Sequence, residues 1–230
     1  AMEHPLVDVR WGSAVTAVAN FDGGVAITVA SDAGTYALRA QYCISADGAR
    51  SAVRKSLGLA LHGDAYEGSY VIADVRMKSE FPTERRAFFD PQANPGATLL
   101  VHKQPDDIWR LDWQLQAHEE ADDAIAEAIL RIKISAILTM LGETDDWELE
   151  WWSIYRAFTL CLDEYRHGNV LFAGDAAHLV PIFGVRGLNS GIADAANVGW
   201  KLAWVLSGRA PDALLDSYSP ERRGATMEVF

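Results

Sequence analysis

Cysteine is scarce: Cys43 and Cys161 are the only two among 230 residues. Two thiols so far apart suggest neither a disulfide framework nor a thiolate metal site, so both are expected in the core of a protein kept in a reducing cytoplasm. Also missing is any apolar run approaching the roughly 20 residues that cross a bilayer, because charge, glycine or asparagine interrupts every such run. The opening Ala1-Met2-Glu3-His4-Pro5 has neither the charged nor the apolar region of a secretion signal. Positive charge is outweighed, with 20 Lys and Arg against 32 Asp and Glu for a net charge of -12. Most of such a surface repels phosphate backbones and anionic lipid heads, so neither nucleic acid nor a membrane is expected as a partner. No internal repeat and no low-complexity linker divides the chain.

The composition, 50% hydrophobic and 23% charged, is that of an ordinary soluble globular protein able to bury a sizeable core. From Val7 to Ile44 apolar residues alternate (Val7, Val9, Trp11; Val25, Ile27, Val29; Tyr36, Leu38), with Asp22-Gly23-Gly24 and Asp32-Ala33-Gly34 as turns. That pattern predicts a β-meander. A strand at Tyr42 to Ser45 is expected to lead through Asp47-Gly48 into a helix from Arg50 to Leu57, stopped by Gly58. Strands are expected at Tyr70–Met77, Arg86–Phe89, Ala97–His102, Ile108–Leu115 and Trp151–Thr159. Between them, Glu119 to Leu141 repeats Ile125, Ile129, Ile132 and Leu138 at helical spacing. Asn169 to Ala173 reads as a short, fully buried strand ending at Gly174-Asp175, and Leu188 to Leu206 as a long helix, with another inside Pro211 to Phe230.

The stretch richest in chemical meaning is Ala173-Gly174-Asp175-Ala176-Ala177-His178, continued by Pro181-Ile182-Phe183-Gly184-Val185-Arg186-Gly187-Leu188-Asn189-Ser190-Gly191-Ile192-Ala193-Asp194-Ala195. A buried strand delivers an acidic residue to its carboxyl end, and a glycine-bearing loop then opens a helix whose first turn is nearly free of bulk. A planar ligand can approach such a turn, where free N–H groups and the helix dipole favour negative charge.

These segments resemble the class A flavoprotein monooxygenases, the family of para-hydroxybenzoate, phenol and 3-(3-hydroxyphenyl)propionate hydroxylases. Gly174-Asp175 sits as that family's GD motif, Asn197-Val198-Gly199-Trp200-Lys201-Leu202 resembles the continuation of its helix, and Ser45-Ala46-Asp47-Gly48-Ala49-Arg50-Ser51-Ala52-Val53-Arg54 resembles its DG motif. The two motifs stand in the family's order and spacing, so the likeness covers essentially the whole chain. It implies an α/β (α+β) fold: a partial FAD-binding domain of glutathione-reductase-like type, formed by residues 1–60 and 156–230, with an inserted, mainly antiparallel substrate sheet over 61–155. It also implies an FAD-dependent, NAD(P)H-using monooxygenase that hydroxylates a small phenolic substrate with dioxygen through a flavin hydroperoxide. Asp175, beside Gly174, would bind the ribityl hydroxyls of FAD. The backbone from Gly184 through Val185, Gly187 and Leu188 to Asn189 would face the flavin ring. Asp47 is implicated in FAD and NADPH binding, with Arg54 holding its motif together. Tyr70, Phe89, His102, Trp113 and Pro181 are the candidate lining of a substrate pocket between the sheet and the flavin loop.

One departure is large. The family opens with a strand, a G-x-G-x-x-G turn and a helix that hold the ADP half of FAD, and nothing here reproduces them; Gly184, Gly187 and Gly191 have the wrong spacing. The chain therefore reads as a fragment, with dimerisation or disorder near the Gly174-Asp175 loop as the expected consequence. Two alternatives stay open: a non-catalytic remnant without FAD, and another flavin reaction on the same scaffold, although no halogenase-like Trp-x-Trp-x-Ile-Pro run occurs. Taken singly, Asp175 also reads as a helix cap and Asp47-Gly48 as a turn. His178 is either a proton carrier near neutral pH or a satisfied structural imidazole. Trp147, Trp151 and Trp152 read as packing rather than a substrate cage, and Glu119, Glu120, Asp122 and Asp123 as a solvated helix start. No residue is singled out that would assist ring deprotonation.

Overall fold

The computed structural model describes residues 4–116, 118–143, 146–180 and 186–228, the side chains of 65–67 and 156–157 excepted. The chain divides into two compact units, one made of residues 1–65 and 158–230 and the other of 66–157. The fold is mixed α/β.

The first unit begins with a three-stranded antiparallel meander, β1 (Ser13–Phe21), β2 (Gly24–Ser31) and β3 (Gly34–Ala40). Gly23 and Gly34 take up the positive φ that the two tight turns demand. The alternation of Val7, Val9 and Trp11 does not extend the meander. Those residues lie outside any strand, with Trp11 80% exposed, because the register closes at Ser13 opposite Ser31 and leaves no strand beyond it to pair with. The short strand β4 (Cys43–Ser45) follows, then helix α1 (Ala52–Ser56), which Gly58 closes at φ +68.

Two long strands, β5 (His62–Arg76) and β9 (Glu148–Cys161), start in one unit and end in the other. In the second unit they lie side by side next to β6 (Arg86–Phe89), β7 (Thr98–Lys103) and β8 (Ile108–Gln114), in hydrogen-bonded order β9-β5-β8-β7-β6, the last three junctions antiparallel. One face of this sheet is covered by helix α3 (Glu127–Leu141), whose Leu130, Ile134, Ile137 and Leu138 form a single core with Val71, Val75, Leu99, Val101, Trp109, Leu111 and Trp113. The helix expected from Glu119 onward is broken. A single turn, α2 (Ala121–Ala124), stops at Ile125, Ala126 is extended, and α3 restarts at Glu127 before ending on Gly142 at φ +82.

The chain returns to the first unit through β10 (Arg166–His167) and β11 (Val170–Phe172). Here β11 pairs antiparallel with β10 and parallel with β4, residue Phe172 opposite Ser45. Val170, Leu171 and Phe172 are all fully buried, so this strand carries no polar face. A 3₁₀ turn at Gly174–Ala176 leads to β12 (His178–Leu179), which pairs with Leu160 and Cys161 at the end of β9. Helix α4 (Arg186–Leu206) follows, then a 3₁₀ segment at Asp212–Ser217 and helix α5 (Tyr218–Met227). Among the described residues no helix is long and apolar enough to cross a membrane.

Candidate functional site

The parallel pairing of β4 with β11 brings two acidic loops to the same end of one small sheet. Asp47 follows β4 by two residues and Asp175 follows β11 by three, and the Ala173 N–H donates to the Ser45 carbonyl at 3.0 Å where the strands finish. Ligands of α/β folds gather at the carboxyl ends of parallel strands, because helix starts and loops converge there.

The two acids are used differently. Asp47 is tied into its own loop: its Oδ1 accepts from the Ser45 hydroxyl at 2.6 Å and its Oδ2 from the Val53 N–H at 3.1 Å, while Ser51 caps α1 by accepting from the Arg54 N–H at 2.9 Å. Burial would raise the Asp47 carboxyl, but hydrogen bonds from Ser45 and Ser51 and from the Val53 N–H hold it below its ordinary value. Asp175 is exposed, and no described residue bonds to its carboxylate. It stands on the 3₁₀ turn that Gly174 opens at φ +59, a left-handed conformation that suits glycine.

Arg54 joins the two loops. Its guanidinium is buried and donates to the Ala49 carbonyl at 2.5 Å and to the Ala176 carbonyl at 2.9 Å, so the α1 loop and the Asp175 turn share one side chain. On the other side the turn is fastened to α4 by Asp194, which is fully buried. One oxygen of Asp194 accepts from the Gly174 N–H at 2.9 Å and from His178 Nε2 at 2.7 Å; the other accepts from Arg222 at 2.7 Å. Against the effect of burial, His178 and Arg222 hold this carboxyl below its ordinary value. Gly191 of α4 lies against the turn, where a Cβ would make an ordinary contact with the Gly174 Cα at 3.5 Å.

His178 is fully buried, stacked on Tyr165 at 5.8 Å and bonded to Asp194. Its burial suits the structural reading of the two, although its Nδ1 has no hydrogen-bond partner among the described residues. Gly187, Leu188 and Asn189 form the first turn of α4, with Leu188 and Asn189 exposed. Gly184, Val185 and Pro181 lie outside the described residues.

Motif reading gave no role to Asp194, which lies inside the stretch it singled out, and missed Glu221 and Arg222. Asn197 and Lys201, one turn apart on α4, both donate to Glu221 of α5, at 2.8 and 2.7 Å, and Arg222 beside it reaches Asp194. The spacing of Asn197 and Lys201 places them on one helix face, a signal that could have pointed to a shared acidic partner.

In the second unit the strand register sorts the expected lining residues by face. Tyr70 of β5, Phe89 of β6 and His102 of β7 lie on the face turned away from α3, Phe89 being 79% exposed. Trp113 does not join them. It belongs to the face under α3, directly opposite Val71 and Leu99, where it is buried in the core, so its aromatic bulk serves packing rather than a ligand.

A family model described as "FAD binding domain" matches residues 1–230. The chain is 33% identical over 227 residues to a 3-(3-hydroxy-phenyl)propionate/3-hydroxycinnamic acid hydroxylase of Mycobacterium avium (strain 104), covering 94% of this chain and 38% of that protein. Among solved structures, the anhydrotetracycline hydroxylase of Streptomyces rimosus superposes with a TM-score of 0.78 at 31% identity, over 97% of this chain and 44% of that one. A ternary complex of aklavinone-11 hydroxylase with FAD and aklavinone superposes with a TM-score of 0.83 at 27% identity, over 95% of this chain and 42% of that one. The chain thus spans less than half the length of each of these proteins.

Proposed function

This chain belongs to the FAD-binding domain family, and from that membership we propose that it is the flavin-side and substrate-side portion of an FAD-dependent aromatic hydroxylase. The observation that carries the reading is the β4–β11 parallel pairing, which sets the Asp47 and Asp175 loops side by side with Arg54 bonded to both. The residues present suit the flavin half of the cofactor. Asp175 offers an exposed carboxylate with no described partner, a natural acceptor for a chain of ribityl hydroxyls. Gly174 and Gly191 leave the adjoining backbone without side chains, and Gly187, Leu188 and Asn189 place the start of α4 beside that turn, with Gly184 and Val185 preceding it in sequence. Asp47, whose two oxygens are each bonded within its own loop, acts first by shaping that loop.

The bound flavin would supply the redox chemistry, with NAD(P)H as reductant and dioxygen as oxidant. The protein would supply orientation, and the second unit's sheet a surface for a small aromatic substrate, with Tyr70, Phe89 and His102 on the relevant face. A G-x-G-x-x-G turn for the ADP half does not occur in these 230 residues. Charge-assisted hydrogen bonds of the kind such a turn makes to a pyrophosphate contribute about 1.5–3 kcal/mol each, so FAD held by the flavin half alone should bind weakly. Titration of the purified chain with FAD, followed by flavin fluorescence, tests this: binding weaker than micromolar is expected, weakened further by Asp175→Ala. An Asp175→Ala variant with unchanged affinity would overturn the assignment of that residue, and stoichiometric submicromolar binding would overturn the weight given to the missing turn.

A further inference from the structure

Among the described residues, three buried polar atoms on the second unit's sheet have no partner: Trp109 Nε1 on the face under α3, and Asp112 Oδ1 and His102 Nδ1 on the face turned away from it. Trp109, Leu111 and Trp113 of β8 enter the core under α3, so Asp112 between them faces the opposite way. Across the strands, Asp112 stands directly opposite Ile72 of β5 and Leu100 of β7, while His102 of β7 stands opposite Arg110 and is therefore the diagonal neighbour of Asp112. Asp112 is 8% exposed and its Oδ1 makes no hydrogen bond; His102 Nδ1 is buried and equally unpartnered. The charges around them are Asp74, Arg110 and Arg85. Arg110 and Asp74 satisfy each other in a bidentate pair with both bonds at 2.8 Å. Burial, opposed by Arg110 and Arg85, pushes the Asp112 carboxyl up to about 6, and burial together with Arg85 and Arg110 pushes the His102 imidazole down.

Buried carboxylate oxygens and ring nitrogens are rarely left unmatched in folded proteins, and where they are, a water or a ligand is the usual reason. Diagonal neighbours on an antiparallel pair lie about 7–8 Å apart at Cα. One hydroxyl bridges side chains at that spacing, donating to the carboxylate and accepting from Nδ1–H through a single oxygen, as a water also does. The positions flanking Asp112 are aliphatic, as a ring face requires.

We infer that Asp112 and His102 form the specificity pair for a hydroxyl carried on an aromatic ring, the ring lying against Ile72 and Leu100 and its O–H bridging Asp112 Oδ1 and His102 Nδ1. The choice of an aromatic ligand rests on the proposed hydroxylase function; the orphaned pair does not. Both residues are positioning groups. They select arenes bearing a free hydroxyl over those in which it is alkylated.

Calorimetric titration of the purified chain with 3-(3-hydroxyphenyl)propionate and with 3-(3-methoxyphenyl)propionate tests the pair, since the two ligands differ only at the hydroxyl. A hydrogen bond to a buried charged group predicts at least about tenfold tighter binding of the hydroxyl compound. Asp112→Leu and His102→Phe should each bring the two affinities within about twofold. If Asp112→Leu does not fold, the isosteric Asp112→Asn carries the test: wild-type affinity for the hydroxyl compound rises as pH increases through about 6, and this variant loses that rise. Equal affinities in the wild type, as water filling would produce, overturn the inference. So does absence of binding by either ligand at millimolar concentration, or discrimination that survives both substitutions. FAD titration of the same samples and of Asp175→Ala separates the two readings, because hydroxyl discrimination beside an FAD affinity that Asp175→Ala leaves unchanged removes the flavin assignment of that residue and leaves the pair standing.

Discussion

Asp194 is fully buried, and its charge is tolerated because both of its oxygens are hydrogen-bonded. Arg222 neutralises it, His178 and the Gly174 N–H complete its shell, and the residue in turn fixes the Asp175 turn against α4. Removing such a carboxylate is worse than never having had it, since Arg222 would keep a largely buried charge with nothing opposite. Asp194→Ala is therefore expected to cost about 3–5 kcal/mol, which for a chain of this size lowers Tm by on the order of 10 °C. The pH dependence follows from the direction of its shift. The folded carboxyl is held below its ordinary value, so its contribution is complete above the unfolded pKa of about 3.9 and is lost as pH falls through the folded value. Thermal scans of wild type and variant should differ fully at pH 7, begin to converge near about pH 4 and meet only below the folded carboxyl's lower value; a gap independent of pH would show that Asp194 acts through shape alone.

Between elements, the sequence and the structure agree best where one strong period or one motif decides the outcome. The apolar run at Val170–Phe172 has no polar alternation to misplace it, and Arg86–Phe89 and the long helix ending at Leu206 sit within a residue or two of where their patterns put them. Elsewhere the deciding partner is remote. Val7, Val9 and Trp11 alternate correctly but have no neighbouring strand, the helical period from Glu119 hides the break at Ala126, and Trp113 faces α3 only because register puts it there. The α4–α5 junction is the clearest case, for the polar run Ser219-Pro220-Glu221-Arg222-Arg223 shows no apolar period, yet each charged side chain has a separate target. Lys201 is fully buried with its ammonium on Ser217 and Glu221. The pair predicts an asymmetry: Glu221→Ala strands a buried cation and should cost about 3 kcal/mol, whereas Lys201→Met replaces the charge by apolar volume and should cost far less. Chemical denaturation of the two variants distinguishes them, and equal losses would mean that the junction depends on the pair itself rather than on avoiding an unpaired charge.

At the scale of the molecule there are two separate cores. One gathers Val53, Tyr165, Val170, Leu171, Phe172, Val198, Leu202, Leu215 and Tyr218; the other gathers Val71, Leu99, Trp109, Leu111, Leu130, Ile134 and Ile137, and no residue belongs to both. The chain passes between the units along β5 and β9, through Ala65–Tyr66 and Ala157–Phe158. Cooperative unfolding follows shared burial, so chains with two cores commonly open in two steps, each sensitive to changes in its own part. Ile134→Ala, at a fully buried position of α3, should cost about 2–5 kcal/mol. Its effect is expected in the second unit, with faster amide exchange over residues 97–115 and 127–141 and unchanged exchange over 170–180. Asp194→Ala should give the reverse pattern, and calorimetry should resolve two transitions that the two substitutions lower one at a time. A single transition lowered equally by both would show that β5 and β9 couple the cores into one cooperative body, and the flavin-side loops would then share their stability with the sheet that carries Asp112 and His102.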